Sequence, residues 1–275
     1  MNIERPSDRI VFCTTRISVY THDGRMTSGT GFFYAYKNCV YLVTNKHVLK
    51  NAEKVEFKVF TKDKNGKLDY SSLATARLDG DNLQKYSCGH PSENVDIQVV
   101  DVVGCQIYRE PDRDLIFSFI NEKLIPDQKG LEDLFAIERI AFVGYPNFMW
   151  DEVNHLPIIR SGTTASLLKI DFNGEPKFLI DASVFPGSSG SPVFINDDGS
   201  YSDRKGSYLG PRTLFLGVIS GVYIERKPTK IEIIPAPTTN TSVPSFEQVL
   251  NLGVVEKAKT VQETVELCYN KIMKK

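Results

Sequence analysis

The chain has 275 residues, 41% of them hydrophobic and 24% charged, with a formal net charge of −1. That length and composition suit one large globular domain or two small ones around a sizeable core. The near-neutral balance argues against a nucleic-acid partner, no apolar run approaches a membrane span, and the first residues, Met1 to Pro6, lack the basic-then-apolar pattern of a secretory leader.

Residues 9–20 alternate apolar and polar positions, through Ile10, Phe12, Ile17 and Val19, and predict a strand. Thr21-His22-Asp23-Gly24 carries the Asp-Gly mark of a hairpin turn. Residues 28–34 open the next strand, where glycine allows a bulge or a close backbone approach. Lys37-Asn38 predicts a turn. Cys39–Thr44 is a buried strand that runs straight into Asn45-Lys46-His47-Val48-Leu49. Strands are expected near 54–60 and 72–77, and again over 94–100, with Asp96 at the start of the last.

Residues 105–135 are mixed in character. The segments 111–114 and 126–130 read as surface turns, and the boundary between two halves falls here. A second run of short strands is predicted at 139–143, 158–166, 168–172, 177–180, 191–195 and 214–219. Turn signals at short intervals favour an all-β barrel or sandwich over an α/β fold. The polar, Gly-rich stretch 196–212 predicts a long hairpin loop. Residues 227–246, with Pro228, Pro235, Pro237 and Pro244, predict an extended surface excursion. A helix is expected at the C-terminus. Thr260-Val261-Gln262-Glu263 has the capping-box pattern, and Val261, Val265, Cys268 and Ile272 share one face, so the helix should lie across the outside of a barrel.

The five cysteines, Cys13, Cys39, Cys88, Cys105 and Cys268, are odd in number and none form a CxxC pair. Cys13, Cys39 and Cys268 lie in apolar segments and read as reduced core residues. His22, His47, His90 and His155 show no ligand spacing with them, so neither a metal nor a cofactor is expected. Reduced thiols without a leader predict a cytoplasmic location.

The chemistry-bearing stretch is 185–192, Phe-Pro-Gly-Ser-Ser-Gly-Ser-Pro. Small residues flank Ser189 between two strand-like segments. Such a turn can be merely structural, or it can present a nucleophilic serine with a backbone oxyanion hole made by the amides of Gly187 and Ser189. A serine needs a base, and the base an orienting carboxylate. His47 ends a buried strand. Asp96 competes with Asp101 and Glu93 for the third role, and Ile97, Val99 and Val100 favour it by placing it at the head of a buried strand. The chain order is then His, Asp, Ser.

With Ser28-Gly29-Thr30-Gly31-Phe32, Val43-Thr44-Asn45-Lys46-His47-Val48, Val95-Asp96-Ile97, Val143-Gly144-Tyr145-Pro146 and the 186–192 turn in this order, the chain resembles the trypsin-like serine peptidases of the chymotrypsin fold. It looks closest to their compact, disulfide-free bacterial type, over roughly residues 10–255. The resemblance implies two six-stranded antiparallel β-barrels with the site in the cleft between them, followed by the C-terminal α-helix. The expected division is an N-terminal barrel over 1–118 carrying His47 and Asp96, a linker over 119–135, a C-terminal barrel over 136–258 carrying Ser189, and a helix over 259–275. It further implies a serine endopeptidase acting through an acyl-enzyme on limited protein or peptide substrates, with a regulatory protein partner if activity is gated. An inactive trypsin-fold module that binds a peptide or a partner protein is the alternative. Ser183 would sit at the base of the pocket for the residue before the cut. Ser220, Gly221 and Val222 would form a pocket wall and pair with substrate backbone. Three residues depart from the secreted pattern, one of them only slightly, Ser191 in place of a frequent glycine. Val48, not cysteine, follows His47. Ser188, not aspartate, precedes Ser189, so no acceptor for a newly cut N-terminus is present.

Overall fold

The computed structural model describes residues 5–110, 112–146, 149–228 and 245–273. Its first half holds helix α1 (Pro6–Phe12), then strands β1 (Thr14–Thr21), β2 (Met26–Tyr36), β3 (Cys39–Thr44), β4 (Ala52–Lys62) and β5 (Leu68–Asp79). After helix α2 (Gly80–Tyr86) come β6 (Ser87–Gly89), β7 (Gln98–Asp101), β8 (Gln106–Tyr108) and β9 (Leu115–Ile116). Helix α3 (Gln128–Asp133) leads to the second half: β10 (Arg139–Gly144), β11 (Ile158–Thr164), β12 (Lys177–Asp181), β13 (Pro192–Asp197), β14 (Ser200–Asp203), β15 (Gly206–Leu209), β16 (Arg212–Pro228) and β17 (Ser245–Lys257). Helix α4 (Ala258–Met273) closes the chain.

Alternation explains the strands. In β4, Val55, Phe57 and Val59 are buried while polar neighbours face outward. The first half pairs in the order β6-β7-β3-β2-β1-β4-β5-β8, with β9 on β4, giving a nine-stranded sheet. It curls to bury Ile17, Val19, Phe33, Leu42, Val55 and Phe57 on one face. Irregularities at Tyr20/Thr21 and Phe60/Thr61 sharpen the twist. The second half is a closed six-stranded barrel, β10-β11-β12-β17-β16-β13. The expected six strands and closure thus describe the second half. The first half is a curled sheet whose short end strands β6 and β8 do not meet.

The two halves share a core. Phe32, Tyr34, Val43, Val95 and Ile97 of the sheet side meet Val143, Phe194, Phe215 and Val218 of the barrel. Phe215 packs edge-on to Phe32 at 5.4 Å between ring centroids. Helix α4 adds Ala258, Val261, Val265 and Cys268 to the same cluster and packs on β6, β7 and β16. Its apolar face is therefore a clamp across both halves, with about 1.5–3 kcal/mol gained for each large side chain fully buried.

Several local expectations are corrected. Residues 6–12 are helical, not strand. Pro6 starts the helix, the Arg5 amide donates to Asp8 at 3.4 Å, and Ile10 and Cys13 share one buried face at a spacing of three. Strand β7 begins at Gln98, so Asp96 lies just before it. Residues 168–172 turn instead of pairing, because Asn173 and Gly174 adopt positive φ beside the Phe172–Glu175 bridge. The loop over 196–212 contains the β14–β15 hairpin. Residues 126–130 run into α3, which Asp127 caps by accepting from the Gly130 amide at 2.7 Å. Helix α4 starts at Ala258, ahead of Thr260, whose hydroxyl donates to the Lys257 carbonyl at 2.8 Å. In the Pro-rich excursion, Lys227 and Pro228 pair with Phe246 and Ser245 as strand. Pro235, Pro237 and Pro244 lie outside the described residues, as does Pro111.

Candidate active site

Strand β3 is buried from Tyr41 to Thr44, then the chain leaves the sheet and turns through residues 46–51. That exit lifts His47 off the sheet end. Asn45 stays fully buried and donates its side-chain amide to the Asp96 carbonyl at 2.7 Å. Val95 and Ile97, on either side of Asp96, are core residues. Anchored on both flanks, the Asp96 carboxylate accepts twice from His47: from its backbone amide at 3.1 Å and through Nδ1 at 2.5 Å. A carboxylate on Nδ1 holds the proton there and leaves Nε2 with its lone pair. The His47 side chain is 46% exposed, so the imidazole is within reach of a reactant.

The two rival carboxylates do different work. Asp101 is buried and accepts from the Val103 amide at 3.0 Å, capping a short 3-10 turn. Burial pushes its carboxyl above the usual range, and the amide draws it partly back. Glu93 is an exposed loop residue.

The Ser189 turn is pinned to the first half. The Thr30 amide donates to the Ser189 carbonyl at 2.9 Å, and the Thr30 hydroxyl donates to the Gly187 carbonyl at 3.0 Å. Thr30 is fully buried and its Oγ1 also accepts from the Tyr145 amide at 2.8 Å. Within the turn, the Ser188 amide goes to the Phe185 carbonyl, the Gly190 amide to Ile219 and the Ser191 amide to Ser188. Gly187 and Ser189 are the exceptions: among the described residues, neither amide has an acceptor. Gly187 reaches this arrangement at φ 91°. Gly190 sits at φ 89°, and a Cβ there would stand 1.8 Å from the Thr30 carbonyl oxygen, so only glycine fits the dock.

The turn after His47 and the Ser189 turn meet over Gly29. A Cβ on Gly29 would lie 2.8 Å from Val48 Cγ1 and 3.6 Å from the Ser189 carbonyl oxygen. His47, Asp96 and Ser189 are thus carried by neighbouring segments at the seam between the halves. Ser188 is buried, and its hydroxyl has no partner among the described residues.

The residues expected to meet substrate lie beside this seam. β13 pairs with β16 only as far as Pro192 opposite Val218. Beyond it, Gly221 and Val222 keep β17 on one side, opposite Val254 and Gly253. Among the described residues, no atom comes within 4 Å of where a Cβ on Gly221 would stand. Ser220 makes a long contact, 3.5 Å, to the Val254 carbonyl. Ser183 is half-buried in the segment leading from β12 to the Ser189 turn, next to the core residue Val184. A separate cavity of about 630 Å³ between α3, β12 and the start of α4 includes none of these residues.

Thr30 and Asn45 carry roles that the sequence does not mark: Thr30 lies between two glycines and Asn45 between Thr44 and Lys46, and only their complete burial in the fold sets them apart. Trp150 is half-buried, with the Arg16 guanidinium 5.5 Å over its ring.

A family model for the trypsin-like peptidase domain matches residues 29–201. Among solved structures, a variant of the HtrA-type protease AlgW with a tripeptide is similar at a TM-score of 0.50 and 12% identity, over 99% of this chain and 64% of that one. A serine endoprotease from Yersinia pestis is similar at a TM-score of 0.45 and 14% identity, over 97% of this chain and 68% of that one. At such identities the first likeness speaks to fold alone. The chain spans less than two thirds of the length of the AlgW chain. No curated protein sequence matched.

Proposed function

This chain belongs to the trypsin-like peptidase domain family, and from that premise we propose that it is a serine endopeptidase with His47, Asp96 and Ser189 as its catalytic triad. The observation that carries the reading is the His47–Asp96 pair, in which a carboxylate held at both flanks meets Nδ1 at 2.5 Å. Ser189 Oγ attacks the scissile carbonyl while His47 Nε2 takes its proton. Asp96 keeps the imidazole in the required tautomer and balances the imidazolium. The negative charge on the carbonyl oxygen falls to the two unsatisfied amides of Gly187 and Ser189, each donor of this kind being worth about 2.7–4 kcal/mol in turnover. His47 then protonates the leaving amine, an acyl-enzyme forms on Ser189, and water releases it by the same steps in reverse.

The substrate is an extended polypeptide. Gly221 and Val222 offer a strand edge that β13 leaves unpaired, and a peptide adding there would present its carbonyl to Ser189. Ser183 brings no charge to the pocket floor, which favours a neutral residue before the cut. The curled sheet and the closed barrel are, in this reading, the two halves of a chymotrypsin-type double barrel, divided at 118 and 136, with helix α4 following from Ala258. Five unbridged cysteines suit a reducing, cytoplasmic setting. There, cleavage must be restrained, and a regulatory protein partner is the expected means.

The test is cleavage of an unstructured protein by the purified chain, with the new termini identified by mass spectrometry against a Ser189→Ala control. Serine-dependent termini, with neutral residues before the cut, are expected. Tight peptide binding without any new terminus would replace the peptidase by a peptide-binding module.

A further inference from the structure

Strand β17 ends in Gly253-Val254-Val255-Glu256-Lys257, an apolar run with one acid in it. Val255 points into the barrel, beside Phe178, Ile180 and Ile219. Strand alternation turns Glu256 the other way. That direction leads to the seam between the halves, not to solvent, and Glu256 is 0% exposed. It stands opposite Val218 on β16 and Lys177 on β12. Val218, across the strand pair, and Ala258, at the start of α4, pack in one cluster with Val95 and Ile97, the residues that flank Asp96.

Both carboxyl oxygens of Glu256 are buried, and among the described residues no hydrogen bond of good geometry reaches either of them. Such a group in a well-packed seam calls for an explanation. Lys177 Nζ stands 3.6 Å from Oε1, and is itself held by Glu175 at 2.7 Å. Lys257, the next residue, turns to Asp171 at 2.6 Å. The remaining groups that face the carboxyl are the Ser220 hydroxyl from β16 and the amide and carboxylate of Asp96.

We propose that Glu256 is a positioning residue for catalysis: buried behind Asp96, it sets the charge that the His47–Asp96 pair works against, and its own protonation makes that charge depend on pH. This rests on the proposed role of that pair. Burial pushes the Glu256 carboxyl up to about 7, the Lys177 ammonium, the Ser220 hydroxyl and the Asp96 amide draw it down, and the Asp96 carboxylate adds to the rise. Below that point the acid is neutral and the negative charge behind His47 is that of Asp96 alone among these groups. Above it, a second anion stands in the seam behind Asp96 and adds to the charge that favours a proton on His47. Glutamine in place of Glu256 keeps the shape and stays neutral at every pH. The base form of His47 then persists to lower pH.

The experiment is a pair of titrations followed by NMR in the otherwise intact chain carrying Ser189→Ala, with and without Glu256→Gln. The pH–rate profile of the serine-bearing forms is measured alongside. The His47 imidazole midpoint, and with it the acid limb of kcat/KM, is expected to move to lower pH by about half a unit to one unit in Glu256→Gln. In the chain that keeps Glu256, its side-chain carboxyl carbon should titrate near neutrality, a readout that needs no substitution at Glu256. An unmoved His47 midpoint in a folded Glu256→Gln chain, or a Glu256 carbon that titrates in the ordinary carboxylate range, overturns the proposal. Normal hydrolysis with an unmoved His47 removes Glu256 and leaves the peptidase reading standing. A shifted His47 in a chain that never hydrolyses peptide removes the peptidase reading, while the coupling of Glu256 to the pair stands.

Discussion

Replacing Ser189 with alanine is expected to lower turnover about 10⁶-fold, the scale seen when a serine nucleophile is deleted from a triad. Stability should hardly change. The bond that fixes this residue is made by its backbone carbonyl, which accepts from the Thr30 amide at 2.9 Å, and alanine keeps it. The hydroxyl makes no structural hydrogen bond among the described residues, so its removal creates no buried orphan. Both amides of the proposed anion site also survive. Steady-state kinetics together with urea unfolding separate the two quantities. Loss of turnover at an unchanged unfolding midpoint is the expected pattern, and a large fall in stability would instead mark Ser189 as a structural turn residue.

Asp96→Asn should cost about 10⁴-fold in turnover while the chain stays folded. The carboxylate accepts from Nδ1 at 2.5 Å and from the His47 amide at 3.1 Å. An asparagine can preserve the amide contact with its oxygen and must then offer its NH₂ to Nδ1. That drives the proton to Nε2, the atom that has to receive one from Ser189. The comparison variant is Asp101→Asn. Asp101 caps the turn at Val103 and, among the described residues, makes no bond to His47; asparagine keeps that cap with its side-chain carbonyl oxygen, so kcat should hold and the unfolding midpoint should move little. If Asp101→Asn were the variant that stopped turnover, the carboxylate would have been assigned wrongly.

The contrast between these two acids marks how far the sequence could be read. Both sit at the border of the apolar run Ile97, Val99, Val100, and periodicity brings each to the end of a strand. It does not say which end faces His47. The strand was also expected to start at 94, whereas pairing begins at Gln98, because the segment before it is tied to Asn45 and His90 instead of to a neighbouring strand. Local signals fared well where one segment decides the outcome, as in the Asp23-Gly24 hairpin and the buried run of β3. They failed where a tertiary partner decides. Ile10 and Phe12 obey a two-residue period, yet Pro6 and the docking of Cys13 and Phe12 into two different clusters make the segment helical. The strand count of the first half was likewise hidden, since β6, β8 and β9 are two or three residues long and carry no periodicity of their own.

The candidate site shows the same division. Gly187, Ser189, His47 and Asp96 stand out by residue type and order. Thr30, Asn45 and Glu256 do not, because their roles arise from contacts across the seam, 157 residues apart in the case of Thr30 and Gly187. A polar residue at a fully buried position was the mark common to all three.

Reaction of the purified chain with a fluorophosphonate, followed by peptide mass spectrometry, tests the central claim most directly. Such a reagent traps a serine whose hydroxyl is activated by a base and whose adduct is held by an anion site. A single adduct on Ser189, abolished by Ser189→Ala and strongly slowed by Asp96→Asn, is the predicted result. A folded chain that takes up no label, or one labelled at a serine other than Ser189, would contradict the account.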